Sequence, residues 1–136
     1  MSFDWDYYLD LARVLVRQHN VTMDREAELR CAISRAYYAA HCTARNHLRD
    51  RENQQGVPLD GRAHQTVIDL FLGSQDRARR KVGDDLRQLR TARTQADYFD
   101  QFGANPGIYH IEKRAQQVLA LAETVIAALP RLATPP

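Results

Sequence analysis

The chain has 136 residues, of which 44% are hydrophobic and 26% are charged, as in an ordinary globular domain. The net charge is only +2, so any contact with nucleic acid needs a local basic patch. No apolar run approaches the roughly 18 residues that cross a bilayer, and the acidic, aromatic start lacks the layout of a secretion signal. We therefore expect one cytoplasmic domain over 1–136, with its core at about 4–129, a tail at 130–136 and no membrane association.

Apolar side chains recur at helical spacing between a few segments that are rich in glycine and proline, and this pattern predicts helices throughout. The helices are expected at about 4–18, 24–51, 63–72, 75–99 and 108–129. Either Thr22 or Asp24 could cap the second helix, which contains no glycine or proline. The fourth helix opens on a basic segment expected to be solvated, and Gly83 could break it. The sequence thus predicts an all-α, up-and-down bundle of about five helices with a long second helix.

The second helix carries an apolar seam that includes three alanines. Its members are Leu29, Ile33, Ala36, Ala40, Ala44 and Leu48. Small side chains let another helix approach closely, so we expect the seam to be buried. Cys31 and Cys42 lie on the same helix about 16 Å apart, which is too far for a disulfide within the chain.

A second stripe on this helix is polar and consists of Arg35, Tyr38, Cys42 and Arg45, within about 80° of one another. A charge on a mostly buried helix needs a partner. One interpretation is that Arg35 pairs with a carboxylate on a neighbouring helix and fixes the packing. The other is that Arg35 and Tyr38 line a site for an anion or a nucleotide.

The fourth helix contains the segment LRQLRTARTQADYF over 86–99, with basic side chains along one face. Arg93 precedes Asp97 by one turn, a spacing that favours an ion pair within the helix. The functional interpretation is that Arg90 and Arg93 bind phosphate, helped by Arg87, while Asp97 and Tyr98 orient them. Arginine suits this role because its planar fork donates two parallel hydrogen bonds.

Segments of three helices together carry a family resemblance. They are AISRAYYAAHCTAR on the second helix, LRQLRTARTQADY on the fourth, and His64, Val67 and Phe71 on the third. On these residues the chain resembles the HEPN superfamily, and within it the small stand-alone prokaryotic HEPN proteins, over about residues 4–129.

The resemblance implies a helical bundle that forms a homodimer and accompanies a small nucleotidyltransferase in toxin–antitoxin or defence systems. It also implies a metal-independent ribonuclease, in which an arginine and a histidine a few residues later meet their copies across the dimer. The interface is then expected on the basic face of the fourth helix and part of the second. In some members a tyrosine just after that histidine is adenylylated by the partner.

The sequence departs from this pattern, because the next histidine after Arg90 and Arg93 is His110. Asp97 and Tyr98 stand in place of the catalytic histidine and tyrosine. A carboxylate is ionised at pH 7, so it repels phosphate and cannot donate a proton as an imidazolium does.

Other histidines offer no clear replacement. Arg13 with His19, and Arg35 with His41, have the family's spacing, but on a helix the two side chains point about 120° apart. We interpret both matches as chance. His47 and His64 are interpreted as surface or interface residues.

Three hypotheses follow. The first is a dimeric RNA- or nucleotide-related binding or partner module with a degenerate ribonuclease motif. The second is an active endoribonuclease toxin that uses Arg90, Arg93, Asp97 and Tyr98, supported by Arg35 and Tyr38. The third is a plain helical module for protein interaction. No metal site and no cofactor is expected, since no cysteine and histidine cluster has metal-binding spacing.

Overall fold

The computed structural model describes residues 2–18, 24–102 and 107–135, and within these ranges every regular element is a helix. The elements are α1 (Asp6–Arg17), α2 (Arg25–Asn46) with a π-helical turn (His47–Arg51), α3 (Ala63–Leu72), α4 (Arg77–Tyr98), and α5 (Ile108–Ala128) with a 3₁₀ turn (Leu129–Arg131). The all-α class and the long second helix are therefore confirmed. Thr22, His19 and part of the predicted turn at 101–107 lie outside the described residues.

Aspartates set the starts of the two longest helices. The Asp24 carboxylate accepts a hydrogen bond from the Ala27 N–H at 3.0 Å, and Asp76 accepts one from the Ala78 N–H at 3.0 Å. Each carboxylate satisfies a backbone donor that has no partner within the helix. Asp24 is therefore the cap of α2 in the structure.

Helix α2 is the centre of the bundle and contacts α1, α4 and α5. The apolar seam predicted for it is buried along its whole length, from Leu29 to Leu48. Because the middle of the seam is alanine, neighbouring helices can come close to the α2 backbone. Cys31 is exposed, Cys42 is buried, and both are free, as their spacing predicted.

Gly83 does not break α4. A Cβ atom at this position would lie 2.8 Å from the Leu72 backbone nitrogen and 2.9 Å from Leu72 Cγ. Any side chain there would collide with the end of α3. The glycine therefore allows α3 and α4 to pack closely, and α4 remains continuous.

The basic start of α4 is not wholly solvated, contrary to expectation. Arg79 is 5% exposed, and its guanidinium contacts both carboxylate oxygens of Glu52, one of them at 2.9 Å. His47, in the π-helical turn, bonds the same carboxylate at 2.9 Å through Nε2. This buried His47–Glu52–Arg79 group fastens the end of α2 to the start of α4.

None of the helices in the described parts of the chain combines the length and hydropathy that crossing a membrane requires.

Candidate functional site

Helices α2, α3 and α4 bring basic and aromatic side chains together on one side of the bundle. We call this group the basic aromatic cluster, and its members are Arg35, Tyr37, Tyr38, His41, His64, Arg90, Arg93, Asp97 and Tyr98. It contains six of the seven residues that the sequence nominated for a site and adds three others.

Arg93 is at the centre of the cluster and is only 8% exposed. Its guanidinium carbon lies 5.3 Å, 5.4 Å and 5.9 Å from the ring centres of Tyr37, Tyr38 and Tyr98, which are favourable cation–π distances. Its Nη1 is 3.7 Å from Asp97 Oδ2, and its buried Nε has no hydrogen-bond partner. The ion pair that the spacing predicted therefore exists, but it is too long for a hydrogen bond.

Asp97 faces α2 as well as Arg93. Its Oδ2 accepts a hydrogen bond from the Ser34 hydroxyl at 3.2 Å. Arg35 Nη2 donates to the same hydroxyl, also at 3.2 Å. Asp97 thus links α4 to α2 through Ser34.

Arg35 does not pair with a carboxylate of the described residues, so the structural interpretation offered for it is wrong. Its guanidinium carbon instead lies 4.7 Å from the Tyr8 ring centre and 5.3 Å from that of Tyr38. Its Nε is buried without a hydrogen-bond partner. Like Arg93, Arg35 lies against aromatic rings and has an N–H group without a partner, which could donate a hydrogen bond to a ligand.

Arg90 and Arg87, both on α4, differ in burial and in hydrogen-bond partner. Arg90 is half-buried, and its Nη1 donates to Gln65 Oε1 at 2.8 Å, which holds it against α3. Arg87 is exposed and bonds Asp84, one turn earlier on α4. The charge of Arg90 also acts on Tyr37, His41 and His64, which places it beside the other members of the cluster. Arg87 has no such link, and its binding role stays a prediction.

The imidazole rings of His41 and His64 stack on each other close to Arg90 and Arg93. The sequence interpretation did not predict this pair. Their ring centres are 4.4 Å apart with the planes at 24°. The Tyr37 hydroxyl and His64 Nδ1 share a short hydrogen bond, and the Tyr37 ring stacks on both imidazoles. Arg35 lies against Tyr8 and Tyr38, whereas His41 stacks on Tyr37 and His64.

Both imidazoles are uncharged at neutral pH. Burial lowers the pKa of His41 to about 3, and the charges of its neighbours add to the effect. Burial, then Arg93 and Arg90, lower the pKa of His64 below its usual value of 6.5. Burial raises the pKa of the Tyr37 hydroxyl, so this group keeps its proton. The cluster therefore joins cationic arginines to neutral hydrogen-bonding rings.

The hydrogen bond between Tyr37 and His64 permits two tautomers. If the hydroxyl donates to Nδ1, the ring proton is on Nε2, which can donate to a phosphate oxygen. If Nδ1 donates to the hydroxyl oxygen, Nε2 carries no proton and can accept one. The same geometry can thus serve either binding or proton transfer.

Within the described residues, no group of three or more histidine, cysteine, aspartate or glutamate side chains is placed to hold a metal ion. Comparison with protein-family models, with curated proteins and with solved structures finds no match for this chain.

Proposed function

We propose that this chain is an RNA-binding, HEPN-like module of a toxin–antitoxin or defence system, and that the basic aromatic cluster binds a phosphodiester of the RNA. The observation that carries the proposal is the state of Arg93. It is a buried cation whose Nε has no partner and whose nearest carboxylate oxygen, on Asp97, is 3.7 Å away. A buried charge with incomplete pairing is costly, and an anionic ligand would complete it.

Arg79 provides the internal comparison. It is also buried and its Nε likewise has no hydrogen-bond partner, but both of its terminal nitrogens contact the carboxylate of Glu52. That is the arrangement expected of an arginine that only fixes packing. Arg93 and Arg35 lack such a contact and lie against tyrosine rings instead. Their planar forks suit phosphate, and the rings beside them suit the bases of RNA.

A nucleotidyltransferase-type partner follows from the family resemblance. Tyr98 is the residue on which such a partner could act, since it is 72% exposed and lies beside Arg93. In this proposal the partner reaches the same cluster that binds RNA.

The second candidate function is a metal-independent endoribonuclease, and His64 is the observation that favours it. In the tautomer with a bare Nε2, this neutral imidazole can take the proton of an RNA 2′-hydroxyl. The 2′ oxygen then bonds to phosphorus, the bond from phosphorus to the 5′ oxygen breaks, and water protonates the leaving oxygen. Arg90 and Arg93 would stabilise the charge that develops on the phosphate.

Incubation of the purified protein with RNA in EDTA separates these two functions. The binding proposal predicts that RNA is retained and not cleaved. Cleavage by the parent that is lost in His64→Gln, and in the double variant Arg90→Ala, Arg93→Ala, would establish the enzyme instead. Because the pKa of His64 is lowered, such cleavage should persist as the pH falls through 6.5 and fail only at lower pH.

We also propose that the chain forms a homodimer, through α1. One face of α1 carries three apolar side chains that are 42% to 64% exposed, namely Tyr7, Leu11 and Val14, and Phe3, just before the helix, is 50% exposed. This face is opposite the buried Leu9 and Ala12. The outer face of α4, where the resemblance places the interface, is instead charged. Exposed apolar stripes of this kind mark interaction surfaces.

The charges of α1 favour a second copy of the chain as the occupant of this stripe. Asp6 and Asp10 lie in its first half, and Arg13 and Arg17 lie in its second half. Two α1 helices packed antiparallel about a two-fold axis near Leu11 would bring the acidic half of each onto the basic half of the other. The stripe would then form the centre of the interface and the charges its rim.

Light scattering at micromolar concentration tests the dimer. The parent is expected to have twice the mass of the chain, and Leu11→Arg is expected to be monomeric because it places two like charges at the axis. Leu59→Arg, which changes an exposed leucine in the loop before α3, should remain dimeric. A monomeric parent, or a dimer that survives Leu11→Arg, would contradict the proposal.

A further inference from the structure

A groove runs along the outward side of α4 beside the basic aromatic cluster. It has a volume of about 310 Å³ and is lined by Arg90, Thr91, Thr94, Gln95 and Phe99. Such a volume lies at the lower end of the range for sites that hold small organic groups. Arg90 belongs to both the groove and the cluster, so the two are continuous.

Two consecutive aromatic residues end α4, and both are exposed. Tyr98 is 72% exposed and approaches Arg93, while Phe99 is 50% exposed and lines the groove with Arg90. Aromatic rings close to arginines are the arrangement by which proteins stack unpaired bases next to a bound phosphate.

Phe99 is held in place although its ring is exposed. Its N–H donates to the Gln95 carbonyl at 3.1 Å, and its own carbonyl accepts from Arg30 Nη1 at 2.7 Å. Arg30 Nη1 also donates to the Ala96 carbonyl at 3.0 Å. The end of α4 is thus fixed by a side chain of α2, so the backbone that carries the Phe99 ring needs no ordering when a ligand stacks on that ring.

We infer that this groove receives one unpaired nucleobase, whose adjoining phosphate lies on Arg90, and that the chain therefore selects single-stranded over duplex RNA. The inference rests on the proposed function and names the substrate class of that same site. In the proposed arrangement, the Phe99 ring stacks on the base, and the Gln95 amide and the Thr94 hydroxyl form hydrogen bonds with the edge of the base. In an A-form duplex the base faces are covered by their neighbours, so no base can reach the ring.

The binding of labelled RNA, followed by fluorescence anisotropy, tests the inference. The parent should bind a short unpaired oligonucleotide more tightly than a blunt duplex of the same length. Phe99→Ala should weaken binding to the unpaired strand about tenfold, since one stacked base contributes about that factor. Phe99→Trp, which keeps a stacking surface, should bind like the parent, and Leu59→Ala is the control for loss of an exposed apolar side chain elsewhere.

The outcomes distinguish the inference from the proposed function. If Phe99→Ala binds the unpaired strand as the parent does, or if duplex binds equally well, the nucleobase site is overturned while RNA binding by the cluster stands. If the parent binds neither RNA, both fail.

Discussion

The double variant Arg90→Ala, Arg93→Lys is expected to raise the dissociation constant for single-stranded RNA by about a hundredfold. Each charge-assisted hydrogen bond to phosphate contributes about 1.5–3 kcal/mol, and the two arginines are expected to make at least one each. Lysine at position 93 retains the buried charge but loses the planar fork and its stacking on three tyrosine rings. The measurement is an anisotropy titration at fixed salt, because salt weakens phosphate contacts.

Arg80→Ala is the matched control for this variant. Arg80 lies on the same helix and carries the same charge, but it is exposed and donates to the Ser74 and Gln75 carbonyls. It should change binding only slightly, by altering the overall charge of the protein. Thermal unfolding of all three proteins establishes that they are folded at the temperature of the titration. If the double variant binds within a factor of two of the parent, the cluster is not the phosphate site.

The substitution Glu52→Gln is expected to lower the free energy of unfolding by about 3–5 kcal/mol. It keeps the volume of the side chain but removes the charge that neutralises buried Arg79 and bonds His47. An unpaired buried charge is costly because water no longer solvates it. Urea unfolding followed by circular dichroism measures the change.

Asp60→Asn is the matched control, since Asp60 forms a similar ion pair with Arg62 at the surface. Both of those side chains are largely exposed, so water screens the pair and its loss should hardly change stability. A Glu52→Gln protein as stable as the Asp60→Asn protein would show that the His47–Glu52–Arg79 group does not fasten α2 to α4.

Local sequence patterns were sufficient to predict the helices and the buried face of α2. The periodic apolar residues from Leu29 to Leu48 leave only one side of α2 that can face the core. Glycine and proline mark the loops between helices. The π-helical turn and the burial of Arg79 could not be predicted in this way. The burial of Arg79 depends on Glu52, which lies in a polar segment and meets Arg79 only after the bundle has packed.

The composition of the candidate site was predicted in part. Arg90, Arg93, Tyr98, Arg35 and Tyr38 do lie together, as their positions on two helices suggested. The pairing of the histidines was missed because His41 comes from α2 and His64 from α3, whereas a motif search relates residues of one helix. In the structure His64 comes from α3 and joins the arginines of α4 only through helix packing.

The most direct test of RNA binding at the basic aromatic cluster is the ¹H–¹⁵N spectrum of the histidine rings, recorded with and without a short single-stranded RNA. The imidazole signals of His64 and His41 are expected to shift, because phosphate would sit against the arginines that adjoin them. His47, which bonds Glu52 in a separate group, should not move. Unchanged His64 and His41 signals at saturating RNA would contradict the assignment of the site.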